Sequence, residues 1–207
     1  KNNYNPKKLY NSSLFNVVDV GFNSIFLKAN KDLVSILKNF NLDTLSISKY
    51  IKITEKNILK LFNKKKGTFF SIDIKNKKKI EIPSITNYFI LFADLNNKQI
   101  NNKLIRSLKK HNHKEKYFFS SIKPNHKSFE EKRYWRGPVW INCNWILYKG
   151  LKNKDHLFSK KIKNLTIKLI EKKGIYEYYS CKNGKPMGAS NFSWSAALYL
   201  DLILSKN

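Results

Sequence analysis

Between residues 16 and 40, Phe22, Ile25, Phe26, Ala29, Leu33, Ile36, Leu37 and Phe40 recur three or four residues apart, which places them on one stripe of an α-helix. The same period returns along the chain. Asp43 can cap a second helix running to about 63, with Ile51, Ile58, Leu61 and Phe62 turned inward. Shorter helices are expected near 85–94 and 97–110. Pro138 suits the first position of a helix reaching about 150. Asp155 can start the next, where Phe158, Ile162, Leu165 and Leu169 repeat at the same spacing, and a last apolar helix covers 192–205. Residues 68–82 break the pattern. There Phe70, Ile72 and Ile74 alternate with polar neighbours and "KNKKK" turns back into "IEI", the signature of a small β-hairpin. The stretches 111–134 and 174–191 read as loops. Seven helices, one hairpin and no parallel-strand pattern make the expected fold all-α, an array of helix pairs.

Composition closes off several functions. A chain of 207 residues, 42% hydrophobic and 14% aromatic, can bury a core as one domain. Its longest apolar runs, "YFILFA" (88–93) and "AALYLDLIL" (196–204), fall far short of the roughly 20 residues that span a bilayer, so no membrane span is expected. The opening "KNNYNPKKLYNSS" lacks a signal-peptide core, which makes a cytoplasmic protein the expectation. A net charge of +27 would suit nucleic acid. Yet of 41 basic residues only Arg106, Arg133 and Arg136 are arginine, which leaves 38 lysines. Arginine supplies the planar fork for base and phosphate recognition, and lysines scattered among asparagine and isoleucine read as exposed faces. No specific nucleic acid is therefore expected. Tight lysine clusters, "NKKKG" (63–67) and "KNKKK" (75–79), fall at hairpin ends. Cys143 and Cys181 are too few for a disulfide framework and read as reduced thiols. His111 and His113, in "KKHNHKEK", read as a solvated loop, and neither a metal nor a cofactor is implied.

Residues 130–151, "EEKRYWRGPVWINCNWILYKGL", differ from the chain around them. Two of the three arginines and three of the four tryptophans lie within sixteen residues. Trp135 and Arg136 precede Gly137, and Trp140, Asn144 and Tyr148 fall on one helical row. Aromatic faces beside amide and guanidinium groups suit a sugar ring, which has C–H groups on its faces and hydroxyls on its rim. Residue types alone leave a second reading open, in which the tryptophans only pack the core. Arg136 likewise could line a pocket or hold its loop through carboxylates. Asn23, Asn142 and Asn144 could recognise hydroxyls or bond helix to helix.

The order of these residues goes further. "YWRGPVWIN", followed by a helix ending in "YKGL", resembles the signature of glycoside hydrolase family 63 and its bacterial relatives, which include processing α-glucosidases and mannosylglycerate and glucosylglycerate hydrolases. Upstream, "VVDVGFNSIFLKANKDL" (17–33) resembles the family's acidic helix bearing "FNS". Downstream, "GIYEYYSCKNGKPMGASNFSWSAALYLDLIL" (174–204) resembles the segment that carries a glutamate, glycines and an "FSWTAAL"-like helix. The resemblance implies an (α/α)6 toroid, of which residues 1–207 would be roughly the C-terminal half of one catalytic domain, with the remaining half as its partner.

It also implies the chemistry, inverting hydrolysis of α-glucosides or α-mannosides of oligosaccharide or glycosylglycerate type. Inversion needs a general acid for the leaving oxygen and a carboxylate base for water, about 6.5–9.5 Å apart. The family's base maps to Glu177, an acid flanked by Tyr176, Tyr178 and Tyr179. Tyr134, Trp135, Gly137 and Trp140 map to its substrate-lining residues, with Gly137 allowing close approach of ligand to backbone at a helix start, and Arg136 stands beside them. Trp194 is expected to pack beneath the Glu177 loop. The family's acid lies in a "GWDNSP"-like loop that this sequence lacks, and Asp19, Asp32 and Asp43 sit in helical contexts that do not replace it. Smaller departures are "SC" at 180–181, where the family often has "DP", and Cys143 at an often apolar position. The chain is thus expected to be inactive alone. A degenerate sugar-binding member and a basic nucleic-acid-binding module are the alternatives.

Overall fold

The structure, a computed structural model, describes residues 4–111 and 116–205. A short helix α1 (Pro6–Ser12) and strand β1 (Val17–Val18) precede α2 (Val20–Asn39) and α3 (Leu45–Ile58). Two small hairpins follow, β2 (Phe62–Asn63) with β3 (Thr68–Phe69) and β4 (Ile72–Asp73) with β5 (Lys78–Lys79). A 3-10 segment, Ile85–Leu91, leads to α4 (Lys98–His111). After a 3-10 turn, Tyr134–Arg136, come β6 (Val139–Trp140), α5 (Ile141–Leu151) and α6 (His156–Lys173). The chain then forms β7 (Tyr176–Tyr179), β8 (Pro186–Ser190) and α7 (Ser193–Leu204). Packing runs as a row: α3 on α2, α2 on the 85–91 segment, that segment on α5, and α5 on α6 and α7. Phe69, Ile85, Leu104, Phe119 and Leu147 are in the core of this row.

Side chains satisfy the helix starts as expected from short polar residues. Asp19 Oδ1 accepts the Phe22 amide at 2.7 Å and Asp155 Oδ1 that of Phe158 at 3.1 Å, while at α3 the cap position falls to Thr44 and Asp43, one residue earlier, accepts the Leu45 amide at 3.0 Å. Both lysine clusters do close hairpins, and β1 extends the second into a three-stranded sheet. The inward set of α3 and the Ile162 and Leu169 positions of α6 are buried or partly buried.

The apolar stripe of α2 does not face the core. The buried side is Val20, Gly21, Ser24 and Leu27, and Phe22, Ile25, Phe26, Leu33, Ile36 and Phe40 stay 41–71% exposed. Small residues let α2 approach the 85–91 segment closely, and Ser24 bonds its hydroxyl back to the Val20 carbonyl at 2.6 Å, so burial there needs no large side chain. Periodicity finds a helix's apolar face but not whether a partner covers it. Pro138 opens no helix, because residues 139–140 pair with β7 before α5 begins. Residues 174–191 are not a loop but mostly a hairpin. The 85–94 helix is a 3-10 segment, and α1 has no counterpart among the expected helices. His111 is not solvated. It ends α4 buried, 5.5 Å edge-on from Tyr88, with Nε2 3.3 Å from the Ser120 carbonyl. Burial pushes its pKa down to about 4. His113 lies outside the described residues. Among those residues no helix is long and apolar enough to cross a membrane.

Candidate active site

Strands β6, β7 and β8 form one antiparallel sheet, with Trp140 opposite Tyr178 and Val139 opposite Tyr179. The β7–β8 register is Tyr179↔Pro186 and Tyr178↔Met187, but Tyr176↔Ser190, so β8 carries one extra residue opposite Glu177. Gly188 occupies that bulge at φ +73°. A Cβ on Gly188 would lie 2.6 Å from Glu177 Oε2 and 2.8 Å from Glu177 Cβ, so both the conformation and the space require glycine. The bulge turns the Ala189 amide toward Glu177, whose Oε2 accepts it at 3.3 Å.

The other carboxylate oxygen, Oε1, accepts the Tyr134 hydroxyl at 2.7 Å. Residues 134 and 177, 43 positions apart, thus meet directly. The bond from Tyr134 to the carboxylate holds the phenol above its usual pKa. Tyr134 itself sits at φ +22°, a strained backbone for a residue with a side chain. The Tyr134 ring stands edge-on to Trp135, Trp140 and Tyr178, at centroid distances of 6.0, 4.8 and 5.4 Å. Those three rings form a column: Trp135 stacks on Trp140 at 4.1 Å and 5°, and Trp140 stacks on Tyr178 at 4.9 Å. Trp140 is buried in the middle and donates its indole N–H to the Tyr134 carbonyl at 3.1 Å. Trp135 ends the column, 42% exposed. One of its faces is held by Trp140, which fixes the plane of the ring.

The 126–136 loop that presents Tyr134 and Trp135 is held by charge. Arg136 places Nη2 2.6 Å from Glu130 Oε1 and donates from Nε to the Ser128 carbonyl at 2.9 Å. Its guanidinium therefore holds the loop, the structural half of the two roles left open. Glu131 ties the loop to the end of β7, accepting the Ser180 hydroxyl at 2.6 Å and pairing with Lys182 at 2.9 Å, and these partners keep its carboxyl below the usual range. Gly137 is at no helix start. A Cβ there would run into the Glu130 carbonyl oxygen, so backbone packing within the loop already requires glycine.

Other candidates separate. Asn144 is buried and structural: its side chain accepts the Phe119 amide at 2.9 Å and donates to the Phe118 carbonyl and to Thr166. Asn23 donates to the Asp19 carbonyl, one turn back. Trp194 is 46% exposed with its ring 6.4 Å from that of Phe192, and Ser195 makes the α7 bond to β7, from its hydroxyl to the Tyr176 carbonyl at 2.8 Å. Sequence reasoning missed Tyr178 as the base of the column, Gly188 and the Ala189 amide. The Asn183-Gly184 pair between "YEYY" and "PMGAS" was the available signal, since Asn-Gly between short strands marks a hairpin.

The family model for the mannosylglycerate hydrolase MGH1-like glycoside hydrolase domain matches residues 1–195. The chain belongs to this family. A mannosylglycerate hydrolase of Thermus thermophilus is 34% identical to this MGH1-like chain over 200 residues, 95% of the chain and 48% of the relative. That of Rubrobacter radiotolerans is 26% identical over 208 residues, 98% and 47% of the two proteins. The crystal structure of a family 63 mannosylglycerate hydrolase from Thermus thermophilus, with Tris and D-glycerate, superposes with a TM-score of 0.91 at 32% identity, covering 99% of this chain and 50% of that one. The same enzyme has been crystallised with glucose. The MGH1-like chain thus has the family 63 fold, the (α/α) toroid class, and spans about half the length of the relatives it matches.

Proposed function

We propose that this chain is the part of a single glycoside hydrolase domain that carries the base and an aromatic platform of an inverting site. Its substrate is an α-linked glycosylglycerate, with mannosylglycerate first in line because relatives of that name match nearly the whole chain. The observation that carries the reading is the Glu177 carboxylate, held at one oxygen by the Tyr134 hydroxyl and at the other by the Ala189 amide, beside the exposed face of Trp135. A carboxylate fixed at both oxygens keeps a lone pair aimed in one direction and loses little orientation when water approaches.

In the proposed step Glu177 takes a proton from water, the hydroxide attacks the anomeric carbon, and the glycosidic C–O bond breaks. The glycerate oxygen takes a proton from a general acid in the half of the domain that this chain does not match. Trp135 receives the C–H face of the sugar, and Trp140, Arg136 and Gly137 hold the platform and its loop. Product stereochemistry tests this. With the domain complete, proton NMR of α-mannosylglycerate turnover should show β-mannose first; α-mannose first, or no hydrolysis, contradicts the proposal.

A further inference from the structure

The end of α5 meets the first two turns of α6 at a cleft lined by Tyr148, Lys152, His156, Ser159, Lys160 and Lys163. His156, Ser159, Lys160 and Lys163 follow one another at helical spacing, which puts all four on one face of α6. Tyr148 comes from the last turn of α5 and Lys152 from its C-cap. Tyr148, Ser159 and Lys163 form the buried floor, with Lys163 only 7% exposed, and His156 and Lys160 stand at the open rim. Lys163 donates from Nζ to the Ser205 carbonyl at 2.7 Å, just past the end of α7. The Ser159 hydroxyl donates to the Tyr148 carbonyl at 3.2 Å. Among the described residues no acidic side chain lines the cleft. Carboxylates at the adjoining helix ends are engaged elsewhere. Asp155 caps α6 and pairs with Lys109 of α4, and Asp201 of α7 takes Lys149 and the Trp145 indole N–H.

We propose that this cleft is an anion site for a phosphate group, free or carried by a small monoester, and separate from the Glu177 site. Basic groups converging on one cleft focus a positive potential, and the N-terminal end of α6 adds its partial charge to it. Ammonium groups from two helices offer several donors from different directions. That suits the several oxygens and the double charge of phosphate better than the flat, singly charged carboxylate. Trp140 and Lys152 cap opposite ends of α5, whose 11 residues span about 16 Å, so the cleft lies roughly that far from the aromatic column. Phosphate bound there ties α5 to α6 and, through Lys163, to the end of α7.

The test titrates the 207-residue chain with sodium phosphate and, separately, with glycerol phosphate, at an ionic strength held constant with sodium chloride. Calorimetry reads the binding and thermal melting reads its effect on the fold. Saturable one-to-one binding is expected, with a midpoint that rises with phosphate concentration. Lys160→Gln should weaken binding about 10-fold, and Lys152→Gln with Lys160→Gln about 100-fold, since each loses a charge-assisted hydrogen bond. Neither side chain belongs to the buried floor, so both variants should keep the wild-type circular dichroism. Lys64→Gln with Lys65→Gln, in the β2–β3 turn, removes as much charge as the double variant and should leave binding unchanged. Glycerol phosphate binding more tightly than phosphate assigns the site to monoesters, and equal or weaker binding assigns it to the free ion. The proposal is overturned if phosphate does not saturate the chain, if the cleft and turn variants weaken binding equally, or if neither weakens it.

Discussion

Glu177 sits opposite a glycine that no other residue could replace without moving it. Alanine at Gly188 would have to adopt φ +73°, at a cost of about 1–2 kcal/mol, and would set its Cβ 2.6 Å from Oε2. The carboxylate would shift by enough to lose the Ala189 amide, and misplacement on the order of 1 Å costs up to about 100-fold in rate. Gly188→Ala in the completed domain should therefore lower kcat by roughly 10- to 100-fold with KM nearly unchanged, as read by steady-state kinetics. Unchanged kcat would mean that the bulge does not position Glu177. Residue types announce part of this site. An acid among three tyrosines and a tryptophan-rich stretch are visible in the sequence, and the resemblance joins them. The glycine's role is not visible there, because it depends on a one-residue register shift that only the paired strands reveal.

At the scale of elements, helix ends and hairpins are legible where a short polar residue or a change of period marks them, as at Asp19, Asp155 and Phe70–Ile74. Which face of α2 is covered is not, since the same stripe serves core or interface. The end of α4 escapes a sequence reading because "KKHNHKEK" is polar on average, and one buried member of a polar run leaves no periodic signal. His111 makes that packing pH-dependent. Its folded pKa, about 4, lies below the ordinary value of 6.5, so the unfolded chain binds the proton first as pH falls. The stabilisation is present above about pH 6.5 and is lost as pH drops toward 4, at most on the order of 3 kcal/mol. Urea midpoints should fall between about pH 7 and about pH 4.5, and His111→Leu should flatten that part of the fall. An equal fall in the variant would assign it to other groups.

For the whole molecule, the exposed apolar faces of α2 and α7 and the site lead to the same requirement. The chain matches about half of each relative, α2 and α7 offer apolar faces, and the proposed inversion needs a second carboxyl group that the chain is not assigned. The helix array and its family are readable from sequence because the motifs lie in three segments in the family's order. The most direct measurement compares wild type and Glu177→Gln, each assembled with the complementary half, for hydrolysis of mannosylglycerate and for its binding by calorimetry. The amide preserves size and can still accept the Tyr134 hydroxyl, but it cannot take a proton from water. A rate lowered by about 10²–10⁴ with affinity held within a few-fold is the predicted result. Glutamine turning over at the wild-type rate would contradict the assignment of Glu177 as the base.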